Sequence, residues 1–400
     1  MDTDQRSDLL RDLGQPKGVT YIELFFDLVF VFTLFRLSQT LIDSLDWVGA
    51  FQTLILLMAV WWVWSYTNLL TDTLDSRLIR LQFLITATMF GVLVSSTAVP
   101  EAFEQRGLLF AIAYVAINLG RSSILAFALR HHHLGRRPLR GAVWFAASAV
   151  PWFAGAMVED SGRLALWSLA LAIDYAAALA GWPVPGLGRT NSAEWNLADE
   201  HMAERYRLFV IIALGETVAI TGRTFHDSDF SLHRGTAFTL SFCITVSLYW
   251  IYFHRTREKL GPAFPGANEP ADPNEPRPRS KEAALAHLIM VMGVVGITVA
   301  DELVIMHPTG SAPASWVAAI LGGPALFLAG HALLGRQVFT RAATPRLVGL
   351  VVLVVAAPAM VGLAPLASTG LAAAVLAVVV GFEIRLNGPL PGAHSLPPRG

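Results

Sequence analysis

Residues 19–40, VTYIELFFDLVFVFTLFRLSQT, form an apolar stretch with two acids near its start. Glu23 and Asp27 are four residues apart, so a helix places both on one face. Thr20 and Ser38 fall close to that face, and the opposite side is almost entirely Phe, Leu and Val. A helix of this length spans a bilayer, and ionisable groups inside a bilayer are costly. The acidic stripe therefore has to face other protein or a polar path. Glu23 lies close to the interface, as a cap or gate, and Asp27 lies deeper, about 10 Å in at 1.5 Å per residue.

The rest of the chain fits this reading. Its 400 residues are 54% hydrophobic and only 15% charged, where a soluble domain is nearer a quarter charged. The apolar surplus sits in long blocks, which predicts an all-α polytopic membrane protein. A net charge of −1 argues against nucleic-acid binding, and the single Cys243 cannot form an intrachain disulfide. The first 18 residues are polar and carry both signs, without a signal peptide's short apolar core. The first span is expected to be retained as an anchor.

Twelve spans are predicted. The first six are about 21–41, 47–69, 78–99, 107–129, 141–158 and 163–181, and the second six about 206–222, 232–253, 283–306, 314–338, 346–364 and 366–385. With the N-terminus in the cytoplasm, 23 of the 29 basic residues fall on the inside and five on the outside, with Arg121 inside a span. This asymmetry predicts N-in, C-in. The implied organisation is a tail at 1–20, a first six-helix half at 21–189, a second at 190–385 and a tail at 386–400. The inside loop 254–282 is rich in Pro and charge and is expected to be coil. The loop 182–205 ends in polar EWNLADEHMAER, expected to form a short surface helix capped at Asn191 or Ser192. His131, His132 and His133 are neighbours on one turn, whereas a metal site wants ligands converging from several elements.

The halves resemble each other. ELFFDLVFVFTL in the first span answers RLFVIIALGETV in the seventh, with Leu24-Phe25 matching Leu208-Phe209. VWWVWSYTN answers SLYWIYFHR, AINLGR answers HALLGR, and SAVPWFAGAM answers AAPAMVGLAP. Asp174 and Glu383 are late acids in the sixth and twelfth spans. Matches in one order predict two six-helix repeats of the same orientation, related by an axis along the membrane normal.

Depth counting puts Asp27, Arg121, Asp174, Glu216 and His331 within one layer of the cytoplasmic half, roughly 10–15 Å in. Asn118 and Ser122 share a face with Arg121, the one cation of the set and the natural partner for an acid. Two arrangements follow. Either Arg121 clamps Asp27, Asp174 or Glu216 and fixes helix packing, or the groups line a path on which a carboxylate binds a proton or cation. Gly215 beside Glu216 is expected either to let a neighbouring helix approach or to let the backbone loosen, with Thr217 and Thr221 bonding freed carbonyls. Asp301 and Glu302 are expected to be wet at the outer surface. Arg36 is expected to snorkel, and Trp61, Trp62, Trp64 and Tyr66 to form an interface belt. There is no phosphate-binding glycine loop, HExxH or GxSxG, and His287 and His331 are the only embedded histidines. No enzyme activity, metal or cofactor is expected. The loop LLTDTLDSRLIR also lacks the glycines of the major-facilitator loop motif.

ELFFDLVFVFTLFRLSQ (23–39) closely resembles the opening signature of the bacterial low temperature requirement A family, and RLFVIIALGETVAITG (207–222) its second. WWVW (61–64) and AHLIMVMGVVG (286–296) also fit, so the resemblance covers roughly 19–385. It implies a multi-pass bacterial membrane protein named for a requirement in growth at low temperature, and marks Glu23, Asp27 and Glu216 as motif acids. It implies no substrate or reaction. Arg36 departs from the more neutral residue expected there. The leading expectation is a small-solute or ion carrier in the cell membrane, with or without proton coupling, centred on Asp27, Glu216, Asp174 and Arg121. Its rival is a non-transporting factor or lipid-modifying protein that supports growth in the cold.

Overall fold

The computed structural model describes residues 18–190, 199–263, 279–338 and 344–386. Every regular element among them is a helix, and an isolated bridge joins Val184 and Gly188. The order is α1 (Tyr21–Asp43), α2 (Trp47–Thr73), α3 (Ile79–Ala98), α4 (Gly107–Val115), α5 (Arg121–Ala128), α6 (Arg136–Ala156) and α7 (Asp160–Leu179). Then come α8 (Asp199–His226), α9 (Leu232–Ala263), α10 (Arg279–Met306), α11 (Ala314–Val338), α12 (Thr344–Met360) and α13 (Pro365–Leu386). A π turn at Ala116–Gly120 joins α4 to α5, so the two make one apolar stretch, Gly107–Ala128.

Each predicted span coincides with a helix, and ten are long and apolar enough to cross a membrane. The fifth and eleventh are not among the ten. Helix α6 opens with Arg136, Arg137 and Arg140 and contains Pro151. Helix α12 has 17 residues, about 25 Å of rise against a hydrocarbon core of roughly 30 Å.

The helix ends differ from the sequence reading where polar residues continue a helix. Helix α8 starts by Asp199, not at 206. His201 and Arg205, expected on a surface helix or loop, are buried in it. The proposed caps Asn191 and Ser192 lie outside the described residues. Helix α9 runs to Ala263 and α10 begins at Arg279, so both described ends of the expected 254–282 coil are helical. Residues 264–278 and the tails 1–17 and 387–400 lie outside the described residues.

The described residues form two compact units, those within 1–216 and 260–295 and those within 217–259 and 296–400. In the first, α1 packs on α2 and α3, α3 on α4, and α6 against α4, α5 and α7. Thr33 of α1 and Ser96 of α3 share a hydroxyl hydrogen bond of 2.6 Å. Arg163, expected as an outside loop charge, is buried and donates to the carbonyls of Ala102, Glu104, Gly155 and Val158, closing the ends of α6 and of the 102–106 turn. In the second unit α11, α12 and α13 pack on one another. The exposed surface is itself apolar, with Phe25 and Leu28 on α1, Phe83 and Phe90 on α3, and Val351 and Val355 on α12. Such faces are stable against lipid.

The close helix approach expected at Gly215 is elsewhere. A Cβ built at Gly215 meets nothing within 4 Å, and Gly215 is exposed. In the second unit, a Cβ on Gly323 of α11 would sit 2.8 Å from the Ile297 backbone nitrogen of α10, and one on Gly296 would sit 3.1 Å from the Gly323 Cα. Small residues there let two backbones touch. Gly323→Val is therefore expected to lower the midpoint of thermal unfolding in detergent, at a cost of about 1–3 kcal/mol. Gly215→Ala is expected to leave the midpoint unchanged or raise it. Equal losses in both variants would contradict the assigned contact.

Candidate functional site

Two helices each carry polar side chains one turn apart. Glu23 and Asp27 do so on α1, and His201 and Arg205 on α8. The two stripes meet in register. His201 Nε2 lies 3.3 Å from Glu23 Oε2, and Arg205 straddles Asp27, with Nη2 donating to Oδ1 at 2.6 Å and Nε to Oδ2 at 3.1 Å. Arg205 Nη1 is also 3.7 Å from Glu23 Oε1. All four side chains are 1% exposed or less. The Thr20 backbone N–H donates to Glu23 Oε2 at 2.8 Å, so Glu23 closes the first turn of α1 as the sequence suggested.

The aromatic cluster of α2 is not an interface belt. Trp61, Trp62, Trp64 and Tyr66 are all buried. The Trp64 indole N–H donates to Asp27 Oδ1 at 2.8 Å, giving that oxygen a second donor. Phe30, Trp61, Tyr206 and Phe209 pack around the Trp64 ring, and the His287 ring of α10 stacks on Tyr206 at 4.1 Å. An indole is apolar over its face and polar at one edge. It can therefore serve a buried carboxylate and pack against apolar neighbours at once.

The predicted clamp partner, Arg121, contacts none of the acids. Its Nη1 donates to the Thr67 hydroxyl and the Val63 carbonyl, its Nη2 donates to Asn118 Oδ1 at 2.9 Å, and its guanidinium lies 4.7 Å from the Tyr66 ring centroid. Asn118 stands in the π turn, which sets it against Arg121. Asp174 of α7 is buried and accepts from the Tyr114 hydroxyl at 2.8 Å. Tyr114 is one turn before Asn118, whose amide donates to the Tyr114 carbonyl. Asp174, Tyr114, Asn118 and Arg121 thus form a polar stripe separate from Asp27. Glu216 is half-buried, with no side-chain hydrogen bond or ion pair among the described residues. His331 is buried in the second unit, beside Tyr252 and Phe327. Asp27, Arg121, Asp174 and Glu216 therefore do not form one contact cluster within the first unit.

The second unit holds buried acids of its own. Asp301, expected to be wet, is buried and accepts from the Thr221 hydroxyl at 2.8 Å. Thr221 Oγ1 is also 2.7 Å from the Thr217 carbonyl, the back-bond predicted, so its one proton has two acceptors to choose between, and Thr217 shares a 3.1 Å hydroxyl bond with Thr298. Arg346, the first residue of the predicted eleventh span, is buried near the start of α12 and donates from Nε to Glu383 Oε1 at 2.6 Å.

Removing one partner of a buried ion pair leaves the other charge uncompensated, which costs about 3–5 kcal/mol. Asp27→Asn is expected to lose stability on that scale in thermal or denaturant unfolding. Trp64→Phe, which removes one donor from Asp27, is expected to lose about 1–3 kcal/mol. A fully folded Asp27→Asn with wild-type stability would contradict the pairing.

Comparison with known proteins gives the family and no reaction. The chain is 35% identical over 317 residues to "Uncharacterized protein RA0937" of Rhizobium meliloti (strain 1021), a match spanning 78% of this chain and 75% of that protein. The family model described as "Bacterial low temperature requirement A protein (LtrA)" matches residues 18–381. That range takes in both acidic and basic stripes, the α2 aromatics and the helices of the second unit, so the chain belongs to the bacterial low temperature requirement A family of multi-pass membrane proteins.

Proposed function

We propose that the protein is a carrier of a small solute in the bacterial cell membrane, coupled to protons or another cation, and not an enzyme. The observation that carries this reading is the contrast among its buried acids. Asp27 and Glu383 each face an arginine, whereas Asp174 and Asp301 face hydroxyl groups and no cation among the described residues. A buried carboxyl group without a counter-charge is suited to exchange a proton or take a cation, which is how acids serve in transport helices. In this reading Asp174 and Asp301 are the ion-binding positions, and Asp27 with Arg205 is a fixed anchor.

The same reading treats the halves as repeats, inserted N-in and C-in. Aligning Leu24-Phe25 with Leu208-Phe209 places Thr33 opposite Thr217. Both threonines bond a hydroxyl of the helix two spans on, Ser96 in α3 and Thr298 in α10. Those partners stand in matching contexts, five residues after Gly91 and Gly293 and two before Ala98 and Ala300. Carriers commonly derive from such duplications. The rival reading, a non-transporting factor that supports the membrane in the cold, is favoured by the complete pairing of Asp27.

Purified protein in liposomes with an internal pH dye tests the choice, against a panel of small solutes. Solute-dependent proton movement is expected from wild type. Asp174→Asn and Asp301→Asn are expected to lose it at least tenfold while keeping the wild-type elution profile. Wild type that moves no proton with any solute would overturn the proton-coupled carrier reading in favour of the non-transporting one, and acid variants with undiminished flux would overturn the assignment of Asp174 and Asp301 as the ion-binding positions.

A further inference from the structure

A buried cation that faces no acid among the described residues is as telling as the acids that face no cation. Arg121 is buried in the middle of a span, and its hydrogen-bond partners are a hydroxyl, an amide oxygen and a backbone carbonyl. Its Nε–H is buried with no acceptor. A guanidinium binds an oxyanion through a fork of two N–H groups. In Arg121 one arm of the Nε/Nη2 fork is thus open. The residue directly follows the π turn, a distortion that recurs at functional sites.

A cavity of about 60 Å³ shares Tyr66 with the surroundings of Arg121, which does not itself line it. Its wall includes Tyr66, whose ring carries the Arg121 guanidinium, and Leu125, one helical turn after Arg121. Leu70 and Leu129 line it further, with Arg137 and Thr190 as polar wall groups and no acidic residue. The cavity is therefore mostly apolar, and the Tyr66 side chain joins it to a guanidinium that faces no acid. At ~30 Å³ per water it suits a group of a few heavy atoms and not an acyl chain.

We propose that Arg121 and this cavity form a binding site for a short-chain organic carboxylate. The carboxylate seats on the open arm of Arg121, and its carbon tail lies among the leucines. A single guanidinium matches a monoanion. Phosphate, which carries more than one charge at neutral pH and has no apolar part, fits the cavity less well. Tyr66 and Leu125 are the side chains that move to admit the ligand. Asp174, joined to Arg121 through Tyr114 and Asn118, stands on the same stripe. This names the substrate class of the carrier; it rests on the carrier reading for the ligand's movement and not for its binding.

Thermal unfolding of the full chain in nanodiscs, at constant ionic strength, tests the site. Sodium acetate and sodium propionate are expected to raise the unfolding midpoint saturably above sodium chloride, and sodium phosphate to leave it unchanged. Arg121→Gln is expected to weaken the apparent affinity at least tenfold. Leu129→Trp fills the cavity without touching the Arg121 hydrogen bonds and is expected to do the same, so it decides the matter if Arg121→Gln does not fold. No rise over chloride in wild type, an equal rise in the variants, or a rise with phosphate alone would overturn the site. Carboxylate binding without proton flux would keep the site and remove the carrier, and carboxylate-independent flux would do the reverse.

Discussion

The ion pair between Asp27 and Arg205 is the interaction around which the first unit is arranged. Two opposite charges in an apolar interior are tolerated only with good geometry and with their remaining hydrogen-bonding capacity met. Here the guanidinium fork takes both carboxylate oxygens and the Trp64 indole supplies a further donor. Glu23 and His201 repeat the contact one turn away. The α1 and α8 stripes are therefore fixed in register at two positions, and an aromatic shell of Phe30, Trp61, Tyr206 and Phe209 covers them. Shifting either helix by one residue would expose both acids to apolar neighbours.

The remaining buried charges obey the same constraint by different means. Arg346 has Glu383. Arg163 has four backbone carbonyls, whose dipoles stand in for a carboxylate. Arg121 has neutral acceptors and the Tyr66 face, and Asp174 and Asp301 have hydroxyls. The last three carry charges that no opposite charge answers among the described residues. Groups held that way bear a continuing cost in stability, and function is the usual reason such a cost persists.

The membrane character, the helices and the burial of Glu23 and Asp27 were legible in the sequence, because apolar length and four-residue spacing report directly on spans and faces. The partner of Asp27 was missed for a physical reason. Arg205 lies in polar EWNLADEHMAER, and hydropathy places such a segment in a loop. The signal that would have found it is the spacing of His201 and Arg205, which copies that of Glu23 and Asp27. Asp301 was misplaced because depth was counted along the helix, whereas burial depends on what packs against it, here the Thr221 hydroxyl of α8. The α2 tryptophans looked like a belt because position along a span does not tell whether a ring faces lipid or a carboxylate.

The central claim is that Asp27 and Arg205 are one unit, each needed because of the other. A double-mutant cycle with Asp27→Leu and Arg205→Met, read as unfolding free energy in detergent, tests it most directly. The account predicts a large loss for each single variant and a double variant much closer to wild type, because an apolar pair leaves no buried charge unmatched. Losses that simply add would show that the two residues act independently, and would contradict the account.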